Sequence, residues 1–449
     1  MYKKGLRCRI CTGCGLCPGV TPEIFKAGGG EGGEKISGAM QVLADSAFTK
    51  NPASAVCGNK RLVTADLGTT TVAMLLYGPG GAVEDRYLAV NPQSAYGADV
   101  ISRIRAAEDK ESAKDMRTMI LQVLEQGLER FRKRLTGQEH LQMVLAANTT
   151  MTYLLMGWDT SELGRAPFRA SCLSGGEMKI GDVPCFVLPG VSAFVGGDIT
   201  AGMYACGMGE GEEIILLIDL GTNGEIVLGN RKRRIACATA AGPAFEGGAN
   251  RGVWGADMIS RLAALRREGL LDETGLLAES CFEDGVRVGN VHVTQESVRA
   301  VQLAKGAIAA GIEILLEKYG ISEEQVDRVV LAGGFGYYLN PEDAALIGML
   351  QPELARKAVA GGNTALSGAL KAGVKLAAAG TKQLSVELQK LISGTEVLNL
   401  AEEADFNRRY IQAMKLEAGN SSDTNDLTVT AICHSHADTL SLEARRNGT

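Results

Sequence analysis

The sequence lacks any long apolar run. No stretch reaches the roughly 18 consecutive apolar residues of a membrane-crossing helix, so no membrane partner is expected. The opening "MYKKGLRCRIC" has two lysines but no apolar core behind them, which excludes a secretory leader of the usual form and places the chain, as an expectation, in a reducing cytoplasm. Positive charge is not in excess: the formal net charge is −6, which argues against a general nucleic-acid binder. Aromatics are sparse at 5%, whereas glycine accounts for 57 of the 449 residues and hydrophobic residues for 45%. That balance points to an α/β protein with a substantial core, many tight strand-to-helix turns and two or three domains.

Against these absences, four thiols are crowded together. Cys8, Cys11, Cys14 and Cys17 fall within "CRICTGCGLC". In a reducing compartment such spacing points to metal or redox chemistry rather than to disulfides. Structural zinc sites usually pair two CxxC knuckles across a longer insert, and here the thiols are continuous. Residues 1–60 hold eight Lys and Arg against four Asp and Glu, a basic front able to dock an acidic partner. The remaining thiols except Cys57 (Cys172, Cys185, Cys206, Cys237, Cys281 and Cys433) are scattered and read as small buried apolar residues. Cys433-His434-Ser435-His436 has ligand residue types but sits in a polar stretch and is read as chance.

Further along, "AGGGEGG" at 27–33 marks a loop, and from Arg61 the texture changes. "LVTADLGTTTVAMLLYG" alternates apolar and β-branched residues around a Gly/Thr turn and predicts a hairpin; "EIILLIDLGTNGEIVLG" repeats the pattern at 213–229. Helical spacing appears over 111–135, 254–267, 294–319, 342–349 and 364–379, and short buried strands in "LQMVLAANTTM", "CFVLPGV" and "VDRVVLAGGFG". The stretch 417–449 is polar and unpatterned and is expected to be disordered.

The two hairpin turns carry nearly the same residues. Asp66-Leu67-Gly68-Thr69-Thr70 and Asp219-Leu220-Gly221-Thr222-Asn223 each follow an apolar strand. A glycine lets backbone N–H groups approach a phosphate, Thr and Asn side chains add hydrogen bonds to its oxygens, and an aspartate can hold Mg²⁺ through water. One copy could be an ordinary turn. Two copies predict a two-lobed phosphate clamp.

"GGDITAG" at 196–202, "LAGGFG" at 331–336 and "GGNTALSGAL" at 361–370 complete a set that resembles the superfamily of acetate and sugar kinases, heat-shock ATPases and actin, the ASKHA-type ATPases. The resemblance implies two ribonuclease-H-like lobes closing on ATP, with Asp66 to Thr70 and Gly221 to Asn223 as the phosphate loops. It places Gly333, Gly334 and Phe335 against the adenosine and Asp198 near Mg²⁺ or the attacking water, where the alternative is a helix N-cap. Glu246 in "ATAAGPAFEGG" could hold ribose hydroxyls and Lys305 in "QLAKGAIAAGI" could flank the adenine or ribose; the alternative for both is plain surface charge.

Together with "NPQSAYGADVISRI", "AANTTMTYLLMG" and "VLNLAEEADFNRRYIQAMKL", these strings resemble one branch of that superfamily, the reductive activators of corrinoid proteins, over about 61–416. "CTGCGLC" followed by "TPEIF" resembles the first arm of a single-cluster bacterial ferredoxin, which takes a fourth ligand from a distant Cys. On that resemblance Cys11, Cys14, Cys17 and Cys57 would hold a [4Fe–4S] cluster, although Gly58 stands where relatives often have Pro. Cys8, Cys11, Cys14 and Cys17 form a competing set, and zinc or no metal is a third reading.

The architecture expected is therefore α/β: an α+β ferredoxin-like domain at 1–60, ATPase lobe I at 61–205, lobe II at 206–416 with C-terminal helices returning to lobe I, and a tail at 417–449. The implied activity is ATP-driven transfer of one low-potential electron from the cluster to a corrinoid protein, Co(II) to Co(I). A low-potential donor such as a ferredoxin would supply the electron, and the resemblance allows a homodimer. The alternatives are a small-molecule kinase of the same superfamily or a chaperone-like, ATP-gated binding protein for a metalloenzyme.

Overall fold

The computed structural model describes residues 59–417, apart from 79, 222–223, 240–254 and 290. The thiols Cys8, Cys11, Cys14, Cys17, Cys57 and Cys433, the expected ferredoxin-like domain, Thr222, Asn223, Glu246 and the polar tail beyond 417 lie outside the described residues.

The first half contains β1 (Lys60–Leu67), β2 (Thr71–Tyr77), β3 (Val83–Val90), α1 (Val100–Ala106), α2 (Lys110–Arg132), β4 (His140–Ala147), α3 (Thr149–Met156), β5 (Gly176–Ile180), β6 (Val183–Val187) and α4 (Gly197–Cys206). Its sheet has the order β3-β2-β1-β4-β6-β5. β1 pairs antiparallel with β2 and parallel with β4, and β4 pairs parallel with β6. The predicted hairpin is therefore β1–β2. The expected long amphipathic helix is α2, which starts at the N-cap Asp109 and buries Met116, Ile120, Leu124 and Leu128 at helical spacing.

The second half contains β7 (Ile215–Leu220), β8 (Gly224–Gly229), β9 (Arg234–Thr239), α5 (Gly255–Arg267), α6 (Glu279–Phe282), β10 (Val286–Val288), β11 (Val291–Val293), α7 (Gln295–Tyr319), β12 (Arg328–Ala332), α8 (Gly333–Gly336), α9 (Pro341–Leu346), α10 (Pro352–Arg356), β13 (Ala358–Gly362), α11 (Thr364–Ser393), β14 (Thr395–Leu398) and α12 (Phe406–Ala413). Its main sheet runs β13-β12-β7-β8-β9-β14. Read from the other edge, β9-β8-β7-β12-β13 repeats β3-β2-β1-β4-β6, with the same alternation of antiparallel and parallel pairs. The repeated sequence motif is thus the visible part of a repeated fold, and both lobes have the five-strand order of ribonuclease H-like domains.

Both central strands are buried on two faces, as parallel strands covered by helices must be. Val63, Ala65 and Leu67 of β1 face α2, while Leu62 belongs to a second cluster that continues across to Ile215, Leu217, Val227 and Val330 of the other sheet. Between the two sheets lie α4 and α11, packed so closely that a Cβ on Gly368 would sit 2.0 Å from the Ala201 carbonyl oxygen. The lobes thus share an apolar cluster between their sheets, besides the core each has on its outer face. Glycine 380 adopts φ 75° and ψ 170° inside α11, where the helix breaks and turns back on itself, so that Lys375 and Glu387 form an ion pair at 3.1 Å. No helix among the described residues is long and apolar enough to cross a membrane.

Candidate nucleotide cleft

Three carboxylates converge where the lobes face each other. Asp66 lies one residue before the end of β1, and Asp219 occupies the matching place on β7. Their parallel neighbours, Ala146 on β4 and Ala332 on β12, are also matched. Asp198 enters from the first turn of α4. Each keeps part of its surface open to the cleft but is otherwise enclosed by protein.

Burial opposes ionisation of all three, and like charge adds to it at two of them. Burial pushes the Asp66 carboxyl up to about 6, partly offset by a hydrogen bond from Asn363. Burial and the charge of Asp66 push Asp198 up to about 7, against the stabilising backbone N–H of Ile199. Asp219 is also raised to about 7, by burial and then by the charges of Asp198 and Asp66, with the Thr364 hydroxyl acting the other way. The N-cap of α4 is Gly196, so Asp198 does not cap that helix; its Oδ1 accepts from the N–H of Ile199 at 2.8 Å.

The loop between β1 and β2 is fixed from outside. The Gly68 N–H donates to the Thr71 carbonyl at 2.9 Å, and the Asn91 side chain donates to the Gly68 carbonyl at 2.9 Å. Asn91 also donates its backbone N–H to the Thr70 carbonyl at 2.8 Å. The amide of Asn148, the N-cap of α3, donates to the Thr69 hydroxyl at 3.0 Å. Thr69 is buried by this bond while Thr70 is exposed. Such outside support is what a loop needs to present its backbone to a phosphate without reorganising.

On the opposite lobe, Gly221 continues from β7 and Gly333 opens α8. Gly333 has φ 81°, and a Cβ there would lie 2.5 Å from the Leu220 carbonyl oxygen and 2.7 Å from Asp219 Oδ1. Gly334 is half-buried beside it. Phe335, expected against an adenosine, sends its ring into the core of lobe II and is 4% exposed; Tyr337 and Tyr338 are the aromatic side chains turned outward there. Lys305 is no surface charge. It is fully buried on α7, donates to the carbonyls of Gly348 (3.3 Å) and Lys415, and has its pKa pulled down to about 7 by burial. The thiols Cys185, Cys206 and Cys237 are buried and Cys172 and Cys281 half-buried, all of them unbridged.

One residue that sequence reasoning passed over is central. Asn363, the N-cap of α11, donates from its amide to Asp66 Oδ2 at 2.7 Å while its Oδ1 accepts from Leu366 N–H. It ties lobe II to the aspartate of lobe I. The signal was available: "GGNT" at 361–364 echoes "GGDIT" at 196–200, the first at the end of β13 and the second beyond β6, the strands that close each lobe's parallel set.

The donor set suits a hydrated divalent cation. Burial raises the pKa of all three enclosed carboxylates, and the charge of Asp66 adds to it at Asp198 and Asp219, so the site calls for positive charge; yet no three Asp, Glu, His or Cys among the described residues come close enough to ligate one ion directly. Mg²⁺, which usually keeps several waters and binds through one or two carboxylates plus phosphates, fits that spacing.

Two repeated ribonuclease-H-like lobes facing each other over matched aspartates define an ASKHA-type ATPase fold. Within that class, the chain belongs to the RACo family: residues 62–211 match the RACo middle region, and 213–251 together with 248–427 match the C-terminal domain of RACo, the ASKHA domain. The chain is similar to the corrinoid activation enzyme RamQ of Eubacterium limosum, at 31% identity over 64% of this chain and 60% of that protein. It also resembles the [Co(II) methylated amine-specific corrinoid protein] reductase of Methanosarcina barkeri, at 26% identity over 43% of this chain and 45% of that protein. Among solved structures, a reductive activator for corrinoid, iron-sulfur protein superposes with a TM-score of 0.69 at 28% identity, covering 81% of this chain and 67% of that one. The chain thus spans 45–60% of the length of these two curated relatives.

Proposed function

We propose that the protein is an ATP-dependent reductive activator that delivers one electron to a corrinoid protein, converting Co(II) to Co(I). The observation that carries this reading is the ASKHA cleft with its three facing carboxylates, in a chain whose relatives are named for corrinoid activation. Gly68, Thr69, Thr70 and Gly221 to Asn223 would grip the phosphates, and Asp66 and Asp219 would hold a hydrated Mg²⁺. Asp198 would orient the attacking water, because its carboxylate faces the cleft and is anchored by α4. Bound Mg²⁺ would neutralise charge on the phosphates and the carboxylates.

Cys11, Cys14, Cys17 and Cys57 would ligate a [4Fe–4S] cluster, whose chemistry is one-electron storage at low potential. A low-potential donor such as a ferredoxin would refill it in a reducing cytoplasm, with the activator working alone or as a homodimer. ATP can drive such a transfer only by binding one state of the activator–acceptor complex better than another. Asn363, bridging the lobes onto Asp66, is placed to make closure depend on what occupies the cleft.

The test is anaerobic. The cluster-reconstituted full chain, a low-potential chemical reductant and a Co(II) corrinoid protein are mixed with and without Mg·ATP, and the loss of the Co(II) absorption band is followed. Reduction that requires ATP, and that Asp219→Asn abolishes, is the expected result. Reduction indifferent to ATP, or ATP consumption that instead phosphorylates a metabolite, would remove the proposal.

A further inference from the structure

Three asparagines surround the end of β1 and the loop behind it, and each opens a helical segment. Asn91 caps the 3₁₀ turn Pro92–Ala95, Asn148 caps α3 and Asn363 caps α11. In each, Oδ1 accepts from a backbone N–H of the segment it opens: Gln93 at 3.0 Å, Met151 at 2.9 Å and Leu366 at 2.8 Å. An amide nitrogen cannot accept from an N–H, so the helical segment decides which end of the amide is which. The Nδ2 group then donates the other way.

In all three it donates to the stretch 66–69. Asn363 reaches Asp66 Oδ2 at 2.7 Å, Asn91 the Gly68 carbonyl at 2.9 Å and Asn148 the Thr69 hydroxyl at 3.0 Å. Capping alone does not require this. An aspartate caps a helix as well as an asparagine does. Asp99 and Asp109 do so on α1 and α2 of the same lobe. At these three places an aspartate would accept where the asparagine donates.

The bond from Asn148 has the most direct consequence. A hydroxyl has one proton and two lone pairs. Asn148 takes a lone pair of Thr69 Oγ1, so the proton turns elsewhere, and among the described residues the Thr69 hydroxyl makes no other hydrogen bond. A phosphate oxygen accepts and needs that proton. Accepting from Asn148 also polarises the Thr69 O–H and strengthens it as a donor. Asn148 itself is wedged in place. Gly196, two residues before Asp198, lies so near that a Cβ on it would be 2.6 Å from the Asn148 Cα. The adjacent Thr149 hydroxyl donates to the Ser192 carbonyl at 2.6 Å. Asn148 thus stands between the first phosphate loop and the turn that leads to Asp198.

We propose that Asn148 is a positioning residue that points the Thr69 hydroxyl proton at a phosphate oxygen of the bound nucleotide, while Asn91 and Asn363 fix the Gly68 carbonyl and the Asp66 carboxylate beside it. This rests on the phosphate-gripping role proposed for Thr69 above and adds what makes Thr69 a donor there.

A double-mutant cycle on the full chain tests it, read as the dissociation constant of Mg·ATP by titration calorimetry. Asn148→Ser keeps a capping oxygen on α3 but is too short to reach Thr69 as well. It should weaken Mg·ATP binding by about 5–10-fold. In a Thr69→Val background the same substitution should change the constant by less than about twofold, because no hydroxyl remains to be directed. Asn148→Asp caps α3 yet accepts the Thr69 proton, and should weaken binding by about 30-fold or more. Nucleotide-free melting temperatures report folding; if the buried aspartate unfolds the chain, the serine cycle decides alone. An Asn148→Ser loss of the same size with and without the Thr69 hydroxyl would make Asn148 a helix cap and nothing more. Asn148→Asp protein that is folded and binds as tightly as the wild type would overturn the polarity. Both outcomes refute this inference alone. A wild type that binds Mg·ATP and shows the coupling, but reduces no Co(II) corrinoid protein, refutes the function proposed above and leaves this inference standing.

Discussion

At the residue scale, the cleft is governed by proton affinity. Asp66, Asp198 and Asp219 titrate at about 6, 7 and 7, against an ordinary 3.8. A folded pKa above the unfolded one means that the native state binds more protons. The protein without nucleotide therefore escapes the cost of burying ionised carboxylates, to which like-charge repulsion adds at Asp198 and Asp219, below pH 4 and bears all of it above pH 7. Its melting temperature should fall as pH rises from 5.5 to 8, a trend measurable by scanning calorimetry. Asp219→Asn should flatten that trend and stabilise the empty protein by about 1–3 kcal/mol at pH 8. A melting temperature that climbs over this window would show that the three groups do not share one field. In turnover, Asp198→Asn should lower ATP hydrolysis by about 10²-fold or more if it serves the attacking water.

Legibility at this scale was uneven. The matching of Asp66 and Asp219 was readable because each stands in the same Asp-Leu-Gly-Thr turn after an apolar strand. Phe335 was misleading because "GGFG" names the residue but not the direction of its ring, and the ring satisfies the lobe II core. Lys305 was expected to flank the adenine or ribose, with surface charge as the alternative; it is instead fully buried on α7, bonded to the carbonyls of Gly348 and Lys415.

At the element scale, two small features hold the lobes in register. Gly368 lets α11 ride on the backbone of α4, and Asn363 caps α11 while bonding Asp66. Gly368→Ala should cost about 1–3 kcal/mol, since the new methyl meets backbone that cannot move aside. Asn363→Ala should cost about 1–2 kcal/mol through the lost cap and the lost inter-lobe bond. Urea unfolding of each variant checks both values, and a neutral Gly368→Ala would mean that the helices are further apart than described. The hairpins and α2 were visible in sequence because their periodicities run long and unbroken. The second arm of α11, 381–393, was not, because Gly380 interrupts the helical pattern and its meaning as a reversal depends on the Lys375–Glu387 pairing across it.

At the scale of the whole molecule, each duplicated sheet has a core of its own on its outer face, and the two sheets share a further apolar cluster through α4 and α11. The lobes should therefore unfold together, and a ligand that bridges them should protect both. A nucleotide present at 100 times its dissociation constant would add about 2.7 kcal/mol. That protection should need a divalent cation, because phosphates alone would add negative charge to three carboxylates. Parts of the molecule were legible only as a pair: one DLGT turn is a common hairpin, and its echo 153 residues later (219 − 66) is what revealed the symmetry.

The carboxylates have a calorimetric consequence. Near pH 6.5 the empty cleft stores protons on groups that must surrender them when a cation enters. Mg·ATP binding should acidify its surroundings, and its apparent enthalpy should change with the ionisation heat of the buffer, from phosphate to imidazole to Tris. The slope of that dependence counts the protons expelled, and it should shrink toward zero by pH 8.5, where the store is already empty.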